Sequence, residues 1–293
     1  MAAHQETQEA TRPGALVHLP QPAAERPPLP DPRQSDVDEW GRSERMREFA
    51  RRAYDPLYRR WFRVEWEGLE KVPRLGGALL IANHAAAIPS DAPVIMHGIE
   101  SELKRPVYGL ADNLFKSLPI VGTMWARVGG VAAHPENAYR LLREQQQLVL
   151  VFPEGSKGPG KLYNDRYQLR RFGRGGFVEI AMRAGVPIVP IAVIGAEESM
   201  PIIHKSPAVA RALNLPYFPI TPNHLLFGPL LGSVAYFPAK FKLRVLDPVY
   251  FDAPPDQERY SKSRIMEEAE NIRQTLQETI WAMLGQRRSI WFG

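Results

Sequence analysis

Short apolar runs alternate with stretches of helical periodicity between residues 63 and 246 of the chain. The runs are too short for ordinary helices, so they predict β-strands. The predicted strands are Arg63–Trp66, Ala78–Ala82, Pro106–Leu110, Gly130–Ala133, Leu148–Phe152, Ile188–Val193 and Lys242–Leu246. The helices predicted between them are Ala92–Gly98, Phe115–Ala126, Pro135–Gln146 and Gly175–Ala184. This alternation is typical of an α/β domain with a mixed, largely parallel sheet flanked by helices.

Helical periodicity also precedes and follows this core. Residues 40–62 place apolar side chains at helical spacing with arginines around them, and Pro56 predicts a break into two short amphipathic helices. Two interpretations stay open for this element: a helix pair packed on the core, or a basic surface resting on an anionic membrane. A last helix is predicted over about residues 257–285, with apolar residues along one side.

The first 39 residues contain seven prolines and few large apolar residues. Such a composition cannot offset the entropy lost on ordering, so we predict a disordered tail over residues 1–39. One domain is predicted over residues 40–293, with its core over about residues 63–250.

Composition narrows the range of functions. The 293 residues include no cysteine, which excludes disulfides, thiolate metal sites and a cysteine nucleophile. No apolar run approaches the ~20 residues that cross a bilayer, and no signal-peptide core is present, so we predict a cytoplasmic protein, soluble or peripheral. The net charge of +5 favours anionic partners: phosphorylated cofactors, acidic lipid surfaces or nucleic acid. No aromatic and basic module for nucleic acid is recognisable, so nucleic acid is not a predicted partner.

The segment Leu215–Ala239 is rich in Pro, Leu, Phe and Tyr. Proline and glycine interrupt it too often for an ordinary helix. It is either a buried loop over the core or an exposed apolar surface that touches lipid or an acyl chain.

His84 lies just after the apolar run Ala78–Ala82, and Asp91 follows seven residues later. A histidine at a strand end with a carboxylate nearby is a candidate general base with its orienting partner. On a continuous helix the two residues lie about 10 Å apart along the axis, too far for a hydrogen bond. Pro89 disfavours such a helix and Ser90 can cap a new one, so we predict a turn that folds Asp91 back toward His84. The plainer alternative is that Asp91 only complements a helix dipole.

A second strand end precedes the sequence Phe152-Pro153-Glu154-Gly155-Ser156-Lys157. Ligand crevices of open α/β sheets lie at strand ends, where a glycine, a hydroxyl and a cation can meet an anion. A basic, glycine-rich loop follows, with Lys161, Arg166, Arg170, Arg171 and Arg174. It is either an anion site or a solvated surface loop. A Walker-type phosphate loop is excluded, because Leu162 stands where Ser or Thr is required.

Three motifs together carry a resemblance. Asn83-His84 with a following Asp, then Phe152–Ser156, then Val186–Pro190, come in the order seen in glycerolipid acyltransferases, the family of bacterial lysophosphatidate and glycerol-3-phosphate acyltransferases. The resemblance spans about residues 64–194. It implies transfer of a fatty acyl group from an acyl-CoA or acyl-carrier-protein thioester to a glycerolipid hydroxyl at a membrane surface.

The resemblance also implies residue roles. His84 is the expected general base and Asp91 its partner, acting by direct transfer with no metal and no cofactor besides the acyl-CoA or acyl-ACP co-substrate. Substrate contacts are expected along the second motif and the basic loop. These residues are Asn83, Phe152, Pro153, Glu154, Gly155, Ser156, Lys157, Lys161 and Arg174.

Two departures from the family pattern concern the acceptor. Six residues separate His84 from Asp91, where the family usually has four, and a branch that acylates diacylglycerol has a longer spacing of this kind. His134 stands near where phosphate-acceptor members carry an arginine. Both a lysophospholipid or lysophosphatidate and a diacylglycerol-like alcohol therefore stay open as acceptors.

Two other functions are compatible with the sequence. A thioesterase or lipid hydrolase needs only water as acceptor, although no Gly-x-Ser-x-Gly motif is present. The other compatible function is that of a non-catalytic lipid-binding scaffold. The predicted partners are acyl-CoA, a glycerolipid acceptor and an anionic membrane surface. We also predict that the protein is peripheral on the inner face of a membrane.

Overall fold

The computed structural model describes residues 35–293 apart from 112–118, 213, 216 and 258–259. Its helices are α1 (Glu44–Pro56), α2 (Asp91–Leu103), α3 (Pro119–Arg127), α4 (Pro135–Tyr139), α5 (Gly176–Ala184), α6 (Ala196–Ser199), α7 (Pro207–Ala212), α8 (Pro222–Leu231) and α9 (Lys262–Gln286). Its strands are β1 (Glu65–Glu67), β2 (Ala78–Ala82), β3 (Val107–Ala111), β4 (Gly130–Ala132), β5 (Leu148–Val151), β6 (Ile188–Ile194), β7 (His204–Lys205), β8 (Pro219–Ile220) and β9 (Lys242–Val245). Most of the predicted tail, and the start of the helix predicted from Phe115, lie outside the described residues.

The compact unit begins at Asp36, before the predicted boundary at residue 40. Asp36 accepts a hydrogen bond of 2.6 Å from the hydroxyl of Ser43, which caps α1. Asp38 accepts one of 2.6 Å from the hydroxyl of Tyr108 in β3. These carboxylates attach the last residues of the predicted tail to the domain.

Seven strands form one sheet in the order β1-β9-β6-β2-β5-β3-β4. β2, β3, β4, β5 and β6 run parallel, β9 is antiparallel to β6, and β1 is parallel to β9. β7 and β8 pair separately, antiparallel to each other. The predicted mixed, largely parallel sheet is confirmed, and each predicted strand is present with ends that differ by at most two residues. The two short strands β7 and β8 were not predicted.

Both faces of the sheet are buried, which is why its central strands are apolar throughout rather than alternating. Every residue of β2 and of β6 is buried. On one face Leu79 and Ile81 pack in a cluster with residues of α5 and α9. On the other face Leu80 packs in a second cluster with residues of α2 and with Phe62.

Pro56 changes the first helix without dividing it into two. Its backbone is helical, and the chain continues from α1 into one π-helical turn, Leu57–Trp61. The predicted break is therefore wrong, because a wider turn accommodates the missing N–H of proline without ending the helix. Arg47 of α1 donates from Nε to Glu100 of α2 over 2.8 Å, with both side chains buried.

The segment predicted only as loop or surface lies between β6 and β9. The chain after β6 first forms α6, β7 and α7, and the predicted segment Leu215–Ala239 contains β8 and α8. α8 is interrupted at Gly228, whose φ is +76°. The large apolar side chains of α8 are exposed, so the alternative of a buried loop is wrong. Within the described part of the chain, no helix combines the length and the apolar character that a membrane crossing requires.

Candidate active site

The site lies where the carboxyl ends of three neighbouring parallel strands meet. β2 pairs with β5 on one side and with β6 on the other. The chain leaving β2 carries His84, the chain leaving β5 carries Phe152–Glu154, and the chain leaving β6 forms α6. Parallel pairing therefore brings together stretches far apart in sequence, at the edge where α/β sheets bind ligands.

His84 and Asp91 are hydrogen-bonded. Nδ1 of His84 lies 2.9 Å from Oδ2 and 3.1 Å from Oδ1 of Asp91. The loop between them turns back on itself, with Ala86 in the left-handed region at φ +74°, and α2 begins at Asp91. The predicted turn is present, and the imidazole is 16% exposed.

Asp91 is fully enclosed and accepts two further hydrogen bonds from the backbone. The N–H of Ala85 donates to Oδ2 over 2.8 Å, and that of Ala92 donates to Oδ1 over 2.7 Å. Asp91 thus holds His84 and also occupies the first turn of a helix, so both interpretations of this residue apply. Ser90 precedes α2, but its hydroxyl makes no capping bond.

The ring of Phe152 fixes the plane of the imidazole. The two rings are stacked, with centroids 3.9 Å apart and planes 15° apart. On the main-chain side, Gly158 lies so close that a side chain there places its first carbon 2.7 Å from Cβ of His84. The contacts with Phe152 and Gly158 therefore restrict the imidazole of His84 to one orientation.

Glu154 holds the main chain of His84. Its Oε1 accepts the backbone N–H of His84 over 3.0 Å, and its Oε2 accepts the backbone N–H of Arg170 over 2.7 Å. Oε2 also lies 3.4 Å from Nζ of Lys161. This carboxylate joins the loops after β2 and β5 to the basic loop.

Lys161 lies between two buried carboxylates. Its Nζ is 3.2 Å from Oε1 of Glu197 in α6, in addition to its contact with Glu154. Burial raises the pKa of the Glu197 carboxyl to about 7, although Lys161 nearby lowers it. One cation thus contacts two carboxylates, and the cluster joins the chain segments that follow β5 and β6.

The predicted substrate-binding residues divide into two groups. Asn83, Glu154 and Lys161 are buried. The amide of Asn83 donates to the carbonyl of Val193 over 2.9 Å and accepts its N–H over 2.8 Å. These side chains are enclosed and bonded within the protein, which indicates that they position the surrounding loops, and their role as substrate contacts stays a prediction.

The other group is accessible. Phe152 and Pro153 are half-buried, and the remaining members are exposed: Gly155, Ser156, Lys157 and Arg174. Neither Lys157 nor Arg174 forms an ion pair with an acidic residue that the structure describes. They are cations at the rim of the site.

The segment between β6 and β9 packs against the loop from His84 to Asp91, which the sequence did not indicate. The N–H of Ala87 donates to the carbonyl of Met200 over 3.0 Å. The buried hydroxyls of Ser90 and Ser199 lie 3.0 Å apart. Burial, reinforced by the charge of Asp91, raises the pKa of Tyr217 to about 12, so this phenol stays neutral. One sequence feature could have indicated that this segment contributes to the site. Two glutamates, Glu197 and Glu198, follow directly after a strand and Gly195.

His134 lies away from the His84 loop, at the start of α4 beyond the edge strand β4. It is exposed, and its Nδ1 accepts the backbone N–H of Glu136 over 3.3 Å. This is the geometry of a helix N-cap. His134 is therefore accounted for structurally.

The arrangement is suited to proton transfer. Because Nδ1 of His84 is engaged by Asp91, Nε2 is the ring nitrogen left to take a proton from a reacting hydroxyl. Among the described residues, no cluster of three or more His, Asp or Glu side chains suits a metal ion.

The sequence model of the acyltransferase family matches residues 63–194 of this chain. An uncharacterized protein of Mycobacterium tuberculosis (strain ATCC 25618 / H37Rv) is 38% identical over 239 residues, which cover 81% of this chain and 66% of that protein. The chain thus spans slightly under two thirds of the length of this relative.

Two further proteins are more distantly similar. A bovine protein called "DGAT1/2-independent enzyme synthesizing storage lipids" is 26% identical over 192 residues, 66% of this chain and 54% of that protein. The crystal structure of the 1-acyl-sn-glycerophosphate acyltransferase PlsC from Thermotoga maritima matches with a TM-score of 0.50 at 19% identity, over 84% of this chain and 80% of that one. The latter similarity concerns the fold.

Proposed function

Because residues 63–194 match the acyltransferase family, we propose that this chain is a glycerolipid acyltransferase that moves a fatty acyl group from an acyl-CoA or acyl-ACP thioester to a lipid hydroxyl. The observation that carries the proposal is the His84–Asp91 pair, with 2.9 Å between Nδ1 and Oδ2 and with Nε2 left for the reacting group. The buried cluster of Glu154, Lys161 and Glu197 holds the loops that support this pair.

In the proposed reaction, the free ring nitrogen of His84 acts as the general base. Nε2 of His84 takes the proton of the acceptor hydroxyl while its oxygen bonds to the thioester carbonyl carbon. The tetrahedral intermediate then expels the thiolate, which receives the proton from the imidazolium of His84. The acyl group thereby changes from sulfur to oxygen with no acyl-enzyme, and atoms and charge balance at each step.

Asp91 makes this proton transfer favourable. Its carboxylate accepts Nδ1–H and so keeps the tautomer in which Nε2 is a base, and its negative charge stabilises the imidazolium once it forms. The backbone bonds from Ala85 and Ala92 keep the carboxylate pointed at the ring.

The exposed cations at the rim fit the donor. Lys157 and Arg174 lie on the loops that follow β5 and carry no acidic partner within the described part of the chain. We assign them to the phosphates of the donor carrier, since charge-assisted hydrogen bonds favour phosphate oxygens.

The acceptor is best explained as an alcohol without a phosphate. His134 stands where phosphate-acceptor members have an arginine, and it serves as a helix cap. The bovine relative named for the synthesis of storage lipids supports the same choice. The product is then a neutral lipid, and the protein works peripherally at the inner face of a membrane.

Purified protein with acyl-CoA and lipid acceptors should release free CoA only when an acceptor is present. His84→Ala should lower that release by ~10²–10⁴-fold, the usual contribution of a general base, with an unchanged circular dichroism spectrum. An unchanged rate in this variant would overturn the mechanism, and release that ignores the acceptor would point to a thioesterase.

The acceptor is tested separately with matched pairs. Diacylglycerol and lysophosphatidate that contain the same fatty acid are offered at equal density in vesicles. We expect the neutral alcohol to be acylated faster. A faster reaction of lysophosphatidate would reject the neutral acceptor and leave acyl transfer standing.

A further inference from the structure

The helix α8 and the turn after it carry an unusual number of exposed apolar side chains. Six large residues in this stretch are between 46% and 88% exposed. They are Leu225, Leu226, Phe227, Leu230, Leu231 and Val234. Gly228 breaks the helix, with φ +76° and ψ 170°, so the two halves expose leucines in succession. A contiguous apolar patch of this kind marks an interaction surface.

The patch is held rigidly by polar contacts beneath it. The amide of Asn223, at the start of α8, donates to the carbonyl of Ala235 over 2.8 Å and to that of Ser199 over 3.2 Å. The hydroxyl of Thr221 accepts the N–H of His224 and caps the helix. The exposed leucines therefore belong to an ordered element.

A tryptophan borders the patch. The indole N–H of Trp61 donates to the carbonyl of Tyr236 over 2.8 Å, and the ring is 45% exposed. Tyr236 is two residues from Val234. A tryptophan with a satisfied N–H and an exposed ring suits the boundary between hydrocarbon and water.

The segment of the chain that carries the patch has basic residues but no acidic ones. Residues 199–246 contain no Asp or Glu and five basic residues. Lys240, Lys242 and Arg244 pair with Glu65 and Glu67 of β1. Lys205 and Arg211 form no ion pair with the acidic residues that the structure describes, so they are available to anionic headgroups.

We propose that these six side chains and Trp61, together called the docking face, are the surface by which the protein binds an anionic lipid bilayer. Exposed leucines and phenylalanine enter the headgroup boundary, Trp61 lies at its edge, and the basic residues meet anionic lipids. A bilayer accounts for the exposed leucines, the bordering tryptophan and the missing acidic residues together.

The docking face is connected to the loop that carries His84, which relates membrane binding to the proposed reaction. Its supporting segment bonds to that loop through Ala87–Met200 and Ser90–Ser199. Resting on the proposed function, this connection links the surface that meets the lipid to the loop that carries His84. The acceptor then reaches the base from the bilayer without crossing water.

Vesicle flotation tests the proposal with a matched control. Leu230 and Leu75 are each 88% exposed, but Leu75 lies before the opposite end of β2. With vesicles of equal parts phosphatidylcholine and phosphatidylglycerol, the partition coefficient of Leu226→Glu/Leu230→Glu should fall by on the order of 100-fold. Leu75→Glu should float as the unchanged protein does, and pure phosphatidylcholine should bind the unchanged protein more weakly.

Other outcomes overturn the proposal. Equal flotation of the double variant and of Leu75→Glu would reject the docking face. A change from dimer to monomer in the double variant, measured by light scattering without vesicles, would assign the face to a second copy of the chain. His84→Ala should float like the unchanged protein, so binding is read independently of acyl transfer, and failure of the proposed reaction leaves this test intact.

Discussion

The loop from His84 to Asp91 and the docking face differ in which kind of side chain they bury and which kind they expose. The charged groups that support His84 are enclosed and engaged: Asp91 accepts three donors, and Lys161 contacts two carboxylates. On α8 the polar groups lie inside and the leucines outside. A site that moves protons requires fixed charges sheltered from water, whereas a surface for lipid requires exposed apolar area. The two regions therefore differ in what a substitution should change.

The largest expected effect is on catalysis by the loop. Asp91→Asn removes the charge that stabilises the imidazolium and disturbs the tautomer, so we expect the rate to fall by ~10²–10⁴-fold. CoA release measures this. A rate within threefold of the unchanged protein would show that Asp91 serves only α2.

Lys161→Met should act on stability. It leaves Glu154 and Glu197 buried without their cation, and breaking a buried pair costs about 3–5 kcal/mol. Urea unfolding gives the free energy directly. A loss below ~1 kcal/mol would mean that water screens the cluster and that it does not hold the loops.

The pH dependence of stability sharpens the role of Glu197. Its pKa is raised from 4.5 to about 7 in the folded protein, so the unfolded chain loses this proton first as pH rises. The free energy of unfolding should therefore fall between about pH 4.5 and pH 7, by at most ~3 kcal/mol from this group, and change no further above that. Glu197→Gln should have a flatter profile over the same range, measured by urea unfolding at pH 5 and pH 7.5. Parallel profiles of the two proteins would contradict the assignment.

The smallest effect is expected on the docking face. Leu230→Ser changes an exposed side chain and should alter the free energy of unfolding by no more than about 0.5 kcal/mol. Leu80→Ala, in the buried strand β2, should cost about 2–5 kcal/mol. Thermal unfolding of both variants makes the contrast, and a large loss in Leu230→Ser would show that α8 is covered.

The sequence predicted the parts of the molecule that local pattern determines. Apolar runs such as Ala78–Ala82 located the strands because both faces of the sheet are buried, and Pro89 indicated the turn that returns Asp91 to His84. The cluster around Lys161 was missed because its members meet only when the ends of β5 and β6 lie side by side. The break predicted at Pro56 is wrong because the helix continues into the π-helical turn Leu57–Trp61, which accommodates the missing N–H of proline.

The exposure of Leu215–Ala239 could not be decided in advance for a related reason. A segment broken by proline and glycine has no periodicity that assigns a buried side. Its orientation is set by contacts distant in sequence, such as the indole of Trp61 with the carbonyl of Tyr236. A buried loop and an exposed apolar surface were therefore both compatible with the sequence. The exposed side chains of α8 show that the second alternative is correct.

The most direct test is a mass balance of lipid products. Acyl-CoA is mixed with vesicles containing both diacylglycerol and lysophosphatidate, and acylated products and free CoA are quantified for the unchanged protein and for His84→Ala. We predict one newly acylated neutral lipid per CoA released, and at most about a hundredth of that rate in His84→Ala. Equal product from both proteins, or CoA released without an acylated lipid, would contradict general-base acyl transfer by His84.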